Sequence, residues 1–130
     1  MNNKHCVLIV DNNPEDLMPL ICFMEDKFNP VVVPEQSSCM QFAEDTCPDI
    51  ILVDDMVSDP NCYDTCQGLK SLQSIGDVPI ILMSDLTADE LGDEVDYLGA
   101  DDFICKPIKK NELIEKIDTL ISFSGTSIKL

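Results

Sequence analysis

The sequence predicts an α/β fold built on a doubly wound, five-stranded parallel sheet, and three observations predict it. Apolar runs of strand length recur at near-regular intervals, at Cys6–Val10, Val31–Val33, Ile50–Val53, Val78–Met83 and Phe103–Cys105. The stretches between them carry apolar residues at helical period. The first, third and fourth runs are apolar throughout rather than alternating, which is the pattern of strands buried on both faces. Strands of that kind, joined by helical crossovers, form a parallel sheet with helices on both sides.

Each element has its own local reason. After the first strand, Asn12 or Asn13 can cap a helix whose first turn holds Pro14. Leu17, Leu20, Ile21, Met24 and Phe28 then follow the stripe of an amphipathic helix. Met40, Ala43 and Cys47 give a shorter stripe between the second and third strands. The third helix is signalled by Ser58-Asp59-Pro60, a cap followed by a first-turn proline, and continues through Cys62, Cys66, Leu69 and Leu72. Gly68 inside it costs about 1 kcal/mol relative to alanine, so a start after Gly68 is the competing reading; the earlier start, near Pro60, is favoured. Leu91, Val95 and Leu98 form a fourth stripe, closed by Gly99 as a helix stop. Leu113, Ile117, Leu120 and Ile121 form the last. Residues 1–123 are expected to be one domain, and 124–130 a frayed tail or the start of a linker.

Composition bounds the function. A chain of 130 residues with 45% apolar content is long enough to bury a core without a metal or disulfide staple. It has 8 basic residues, all lysine, against 25 acidic ones, for a net charge of −17. That charge repels phosphate backbones and anionic lipid, so neither nucleic acid nor a membrane surface is expected as a direct partner. The apolar run near the N-terminus is too short for a signal-peptide core or a membrane span. A cytoplasmic protein with reduced thiols is therefore expected for the seven cysteines, an odd number. Cys62 and Cys66 lie four apart, but a second ligand pair is missing and His5 is the only histidine. Small buried hydrophobes are thus a better reading of them than a zinc site.

In doubly wound sheets ligands bind beyond the carboxyl ends of the strands. Here those ends carry Asp11-Asn12-Asn13 after strand 1, Asp54-Asp55-Met56 after strand 3, Ser84-Asp85 after strand 4 and Lys106-Pro107 after strand 5. Singly, each is an ordinary turn residue, a helix cap or a solvated charge. Jointly, they describe a metal-assisted phosphate site. Hard oxygen ligands suit Mg²⁺, and a hydroxyl and a lysine suit phosphoryl oxygens.

Four segments carry a resemblance. Val7-Leu-Ile-Val-Asp-Asn-Asn-Pro, Pro48-Asp-Ile-Ile-Leu-Val-Asp, Pro79-Ile-Ile-Leu-Met-Ser and Gly99-Ala-Asp-Asp-Phe-Ile-Cys-Lys-Pro, in this order and at these spacings, resemble the response-regulator receiver domains (CheY-like) of two-component signalling. The likeness covers roughly residues 4–123. It implies a flavodoxin-like (βα)5 fold with sheet order 2-1-3-4-5. It implies a signalling domain rather than an enzyme, one that assists its own phosphorylation by a histidine kinase or histidine phosphotransfer protein. It implies Asp54 as phosphoacceptor, six residues after Pro48, with Asp55 less suited because alternation aims it elsewhere. It implies Mg²⁺ held by Asp11, Asp54, Asn12 and the backbone carbonyl of Met56. Ser84 and Lys106 would contact the phosphoryl group, Phe103 would be the aromatic whose rotamer accompanies activation, and the Lys106–Pro107 bond would be cis. Lys106 is expected to matter for switching more than for folding.

The sequence also departs from that family. Asn12 stands where a second acid is usual, so one negative charge near the metal is missing. A unit charge there is worth about 4 kcal/mol at 4 Å and an effective dielectric of 20. Ser58 replaces the usual proline, Cys62 falls near the usual glycine, and Asp85 replaces a small residue. These departures motivate an alternative, a degenerate receiver that binds protein without phosphorylation. A flavodoxin is opposed by the acidic loop after strand 1, which is the electrostatic opposite of a phosphate-binding loop. A haloacid-type phosphatase is opposed by Asn13, which breaks its Asp-x-Asp pattern. No effector domain lies within these residues, and the downstream partner is not legible.

Overall fold

The computed structural model describes residues 4–11, 14–33, 39–55, 62–91 and 99–129. Strands and helices alternate through it: β1 (Cys6–Val10), α1 (Pro14–Met24), β2 (Asn29–Val32), α2 (Cys39–Thr46), β3 (Ile50–Asp54), α3 (Cys62–Ser71), β4 (Ile80–Ser84), α4 (Ala88–Leu91), β5 (Asp102–Cys105) and α5 (Lys110–Lys129). The sheet order is β2-β1-β3-β4-β5, and every neighbouring pair is parallel. The expected doubly wound sheet is therefore the observed one.

Strand alternation splits the core into two layers. Leu8, Val10, Ile51, Val53, Ile80 and Leu82 pack on one face with Cys39, Ala43, Cys66 and Leu69 of α2 and α3. Val7, Ile9, Ile50, Leu52, Ile81 and Met83 pack on the other with Leu20 and Met24 of α1 and Leu113 and Ile117 of α5. All five residues of β3 and of β4 are buried, which explains why those runs show no polar alternation.

The boundaries shift for identifiable reasons. β2 begins at Asn29 and includes Pro30, tolerable because β2 is an edge strand and pairs only with β1. β4 begins at Ile80, after Pro79. α1 runs through Pro19, which removes one interior hydrogen-bond donor, and stops at Met24, so Phe28 is buried from the following turn. α3 is under way by Cys62 and carries Gly68 in its interior. A Cβ at Gly68 would lie 2.6 Å from the Met40 methyl, so the glycine lets α2 and α3 approach. Residues 92–98, which hold most of the fourth predicted stripe, lie outside the described residues. Gly99 has φ +87°, a left-handed conformation suited to a residue without a Cβ. The backbone of α5 stays helical to Lys129, through the segment expected as a tail or linker. Gly125 is the weakest helix former there and no proline interrupts the segment. Lys27 and Asp118 form an ion pair between the turn after α1 and α5.

The thiols divide by burial. Cys39 and Cys66 are buried, and Cys22 and Cys47 are exposed; the Cys62 side chain is outside the described residues. Burial pushes the Cys39 thiol up to about 11. Alkylation of the folded protein should reach Cys22 and Cys47 quickly and Cys39 only on unfolding, which mass mapping of labelled peptides checks. Because the folded value is raised, the contribution of protonated Cys39 to stability is present below pH 9 and lost as pH rises through about 11. Denaturation midpoints should therefore fall over that window, and less steeply in Cys39→Ala.

Candidate functional site

Parallel strands all end on the same side, and here that side is acidic. Asp11 follows the last residue of β1, and Asp54 and Ser84 are the last residues of β3 and β4. Asp11 is 5% exposed, Asp54 1% and Ser84 not at all. Buried polar groups of this kind need specific partners, since desolvation without them is costly.

The pleat sorts them into two groups. Asp54 pairs laterally with Met83, and its side chain lies on the face of the sheet covered by α1 and α5. On that face Lys106, immediately after β5, donates from Nζ to Asp54 Oδ1 at 2.8 Å. Lys106 is anchored by its own backbone, its N–H donating to the Ser84 carbonyl at 2.7 Å. The Lys106–Pro107 peptide bond is cis. Asp11 and Lys106 border one cleft of about 180 Å³, walled by Pro19 and Phe23 of α1 and by Met83 and Pro107. Asp11, Asp54 and Lys106 are thus gathered at one end of the sheet.

Ser84 turns the other way. Its hydroxyl donates to Asp55 Oδ2 at 2.6 Å and accepts from the Leu86 N–H at 3.0 Å. Asp55 lies one step past β3, with its N–H on the Met83 carbonyl at 2.9 Å, which sets it beside Ser84. Sequence reading set Asp55 aside as an acceptor and did not find this bond. The β3–β4 register brings it to Ser84. Burial, and then the charge of neighbouring Asp54, push the Asp55 carboxyl above its usual range; the Ser84 hydroxyl and Lys106 oppose that shift. Asp85 is exposed. Phe103 is half-buried against the layer of α2 and α3, with the Lys116 ammonium 5.9 Å from its ring centroid. Asn12, Met56 and Ser58 lie outside the described residues.

The donor set suits a hard cation. Asp11 and Asp54 bring two buried carboxylates to the strand ends, with the Lys106 ammonium beside them. Asp55 Oδ1 is buried and meets no hydrogen-bond donor among the described residues. Oxygen ligands in excess of donors fit Mg²⁺ in kind. Among the described residues alone, no three acidic, cysteine or histidine side chains gather closely enough to enclose a metal. Among them, too, no helix is long and apolar enough to cross a membrane.

Comparison with known proteins agrees with this geometry. The family model of the response regulator receiver domain matches residues 7–118. The chain is 30% identical over 124 residues to the heme response regulator HssR of Staphylococcus saprophyticus, covering 93% of this chain and 53% of that protein. It is 26% identical over 125 residues to the transcriptional regulatory protein BaeR of Escherichia coli O6:H1, covering 92% and 49%. The chain therefore spans about half the length of these curated relatives. Among solved structures, the signal receiver domain of a signal transduction histidine kinase from Syntrophus aciditrophicus superposes with TM-score 0.80 at 28% identity, covering 91% of this chain and 90% of that one. The receiver domain of sensor histidine kinase PA1611 from Pseudomonas aeruginosa, described with magnesium coordinated in its active-site cleft, matches with TM-score 0.80 at 24% identity, covering 92% and 98%. With the fold, the strand-end residues and a family match over most of the chain in agreement, this protein belongs to the response-regulator receiver domains of two-component signalling.

Proposed function

We propose that the chain accepts a phosphoryl group on Asp54 from a histidine kinase or histidine phosphotransfer protein, in a Mg²⁺-dependent reaction, and thereby switches a protein-interaction surface. The observation that carries this reading is the buried Asp54–Lys106 pair at the carboxyl end of the sheet. Asp54 Oδ attacks the phosphorus of the donor's phosphohistidine, or of a small acyl phosphate, and an acyl phosphate forms as the donor's bond breaks. Nucleophile and transferring group are both anionic, so positioning and electrostatics do most of the work. Lys106 holds the carboxylate before transfer and offsets charge on the phosphoryl oxygens afterwards. Asp11, Asp54, Asn12 and the Met56 carbonyl would hold Mg²⁺, which when bound supplies positive charge to the phosphoryl oxygens. The new dianion offers Ser84 an acceptor, and Phe103 responds in the same switch. The cytoplasm, where such donors act, is the compartment this reading implies.

Incubation with Mg²⁺ and acetyl phosphate should add one phosphoryl mass, located on Asp54 by peptide mapping, and chelation of Mg²⁺ should prevent it. Absence of labelling would favour the second reading, a phosphorylation-independent binding module, for which Asn12 and Asp85 speak. Asn12→Asp restores an anionic ligand and should tighten Mg²⁺ binding, by up to about 10³-fold for the full worth of the charge it adds. Calorimetric titration of both proteins decides it; equal affinities would remove Asn12 from the metal's surroundings.

A further inference from the structure

Ser84 is committed before any phosphoryl group arrives. Its side chain is buried, its single hydroxyl proton is given to Asp55 Oδ2 at 2.6 Å, and its oxygen takes the Leu86 N–H at 3.0 Å. A hydroxyl has one proton to donate. A phosphoryl group on Asp54 can recruit that proton only by drawing it from a carboxylate, among the stronger acceptors a protein offers. The backbone fixes the competition in place: the Asp55 N–H is held by the Met83 carbonyl, and the Ser84 carbonyl by the Lys106 N–H.

We propose that Asp55 is a positioning residue that latches the Ser84 hydroxyl away from Asp54 and so sets how strongly the domain responds to a phosphoryl group. This rests on Asp54 being the phosphoacceptor. Asp55 acts through its bond to the Ser84 hydroxyl. The latch biases the domain toward its unphosphorylated arrangement, and the response becomes harder to trigger than the acceptor and lysine alone would make it.

The test is the affinity of the Mg²⁺-loaded protein for trifluoroberyllate, a non-hydrolysing phosphoryl mimic. Asp55→Leu removes the acceptor at similar bulk and should tighten binding about tenfold, the typical worth of one charge-assisted hydrogen bond. Asp55→Asn keeps a weaker acceptor and should fall between the two; it also keeps the test alive should the leucine fold poorly. Removing a negative charge near an anion would tighten binding by itself, so both substitutions are repeated in Ser84→Ala. A latch predicts that the gain shrinks to less than about twofold there, because the hydroxyl it acts through is gone. An equal gain in both backgrounds, or no gain in either, overturns the latch while leaving Asp54 as acceptor. If no variant binds the mimic and none is labelled by acetyl phosphate, the proposed function fails and the latch fails with it.

Discussion

Asp54→Asn should take up no phosphoryl group, while Lys106→Ala should still be labelled but about 10²–10³-fold more slowly. The asparagine keeps the shape of the side chain and its place at the end of β3, but its amide cannot form the acyl phosphate. The lysine variant keeps the nucleophile and loses the ammonium that sits 2.8 Å from it; loss of one preorganised donor at a site of developing charge costs about that factor. Stability separates the two further. Asp54 is 1% exposed, so removing Lys106 takes a charge-assisted hydrogen bond from a buried carboxylate and should cost about 2 kcal/mol in the absence of Mg²⁺. Adding Asp54→Asn to Lys106→Ala should recover most of that loss without restoring uptake. Timed mass spectrometry with acetyl phosphate, beside urea denaturation of the four proteins, reads both effects. Undiminished labelling of Asp54→Asn would place the acceptor elsewhere; an unchanged rate in Lys106→Ala would reduce the pair to a structural contact.

Leu52→Ala should destabilise the domain by about 3 kcal/mol, enough to threaten folding in a protein whose net stability is of order 5–15 kcal/mol. Leu52 is fully buried at the centre of β3, the middle strand, paired with Ile9 and Ile81 and packed in the layer beneath α1 and α5. The neighbours on both sides are held by the sheet's hydrogen bonds and cannot collapse into the space left behind. Met18→Ala is the control, since Met18 is 64% exposed on α1 and should cost less than about 0.5 kcal/mol. Urea midpoints at constant slope measure both, and a Leu52→Ala midpoint near that of the wild type would mean that the site repacks.

The sequence alone determined the α/β class, the five strands, and the end of the sheet at which chemistry would sit. Period and burial are local signals: a run such as Ile50–Val53 has no polar face to show solvent, so it reads as a central strand without knowledge of its neighbours. The resemblance then supplied strand order and named Asp11, Asp54, Ser84 and Lys106, which the structure places at the strand ends. What tertiary structure decided was which of these groups meet. That Asp54 is almost wholly buried against Lys106 depends on β5 lying two strands from β3 with its end at the right height. That Ser84 is held by Asp55 depends on the β3–β4 register, in which a slip of one residue would turn every side chain to the other face. The interior of α3 across Gly68 likewise depends on Met40 of α2, a contact no propensity contains. Local sequence fixes a residue's strand and face, but the partner across the sheet is chosen by the pairing of segments far apart in the chain, and the latch on Ser84 is written only there.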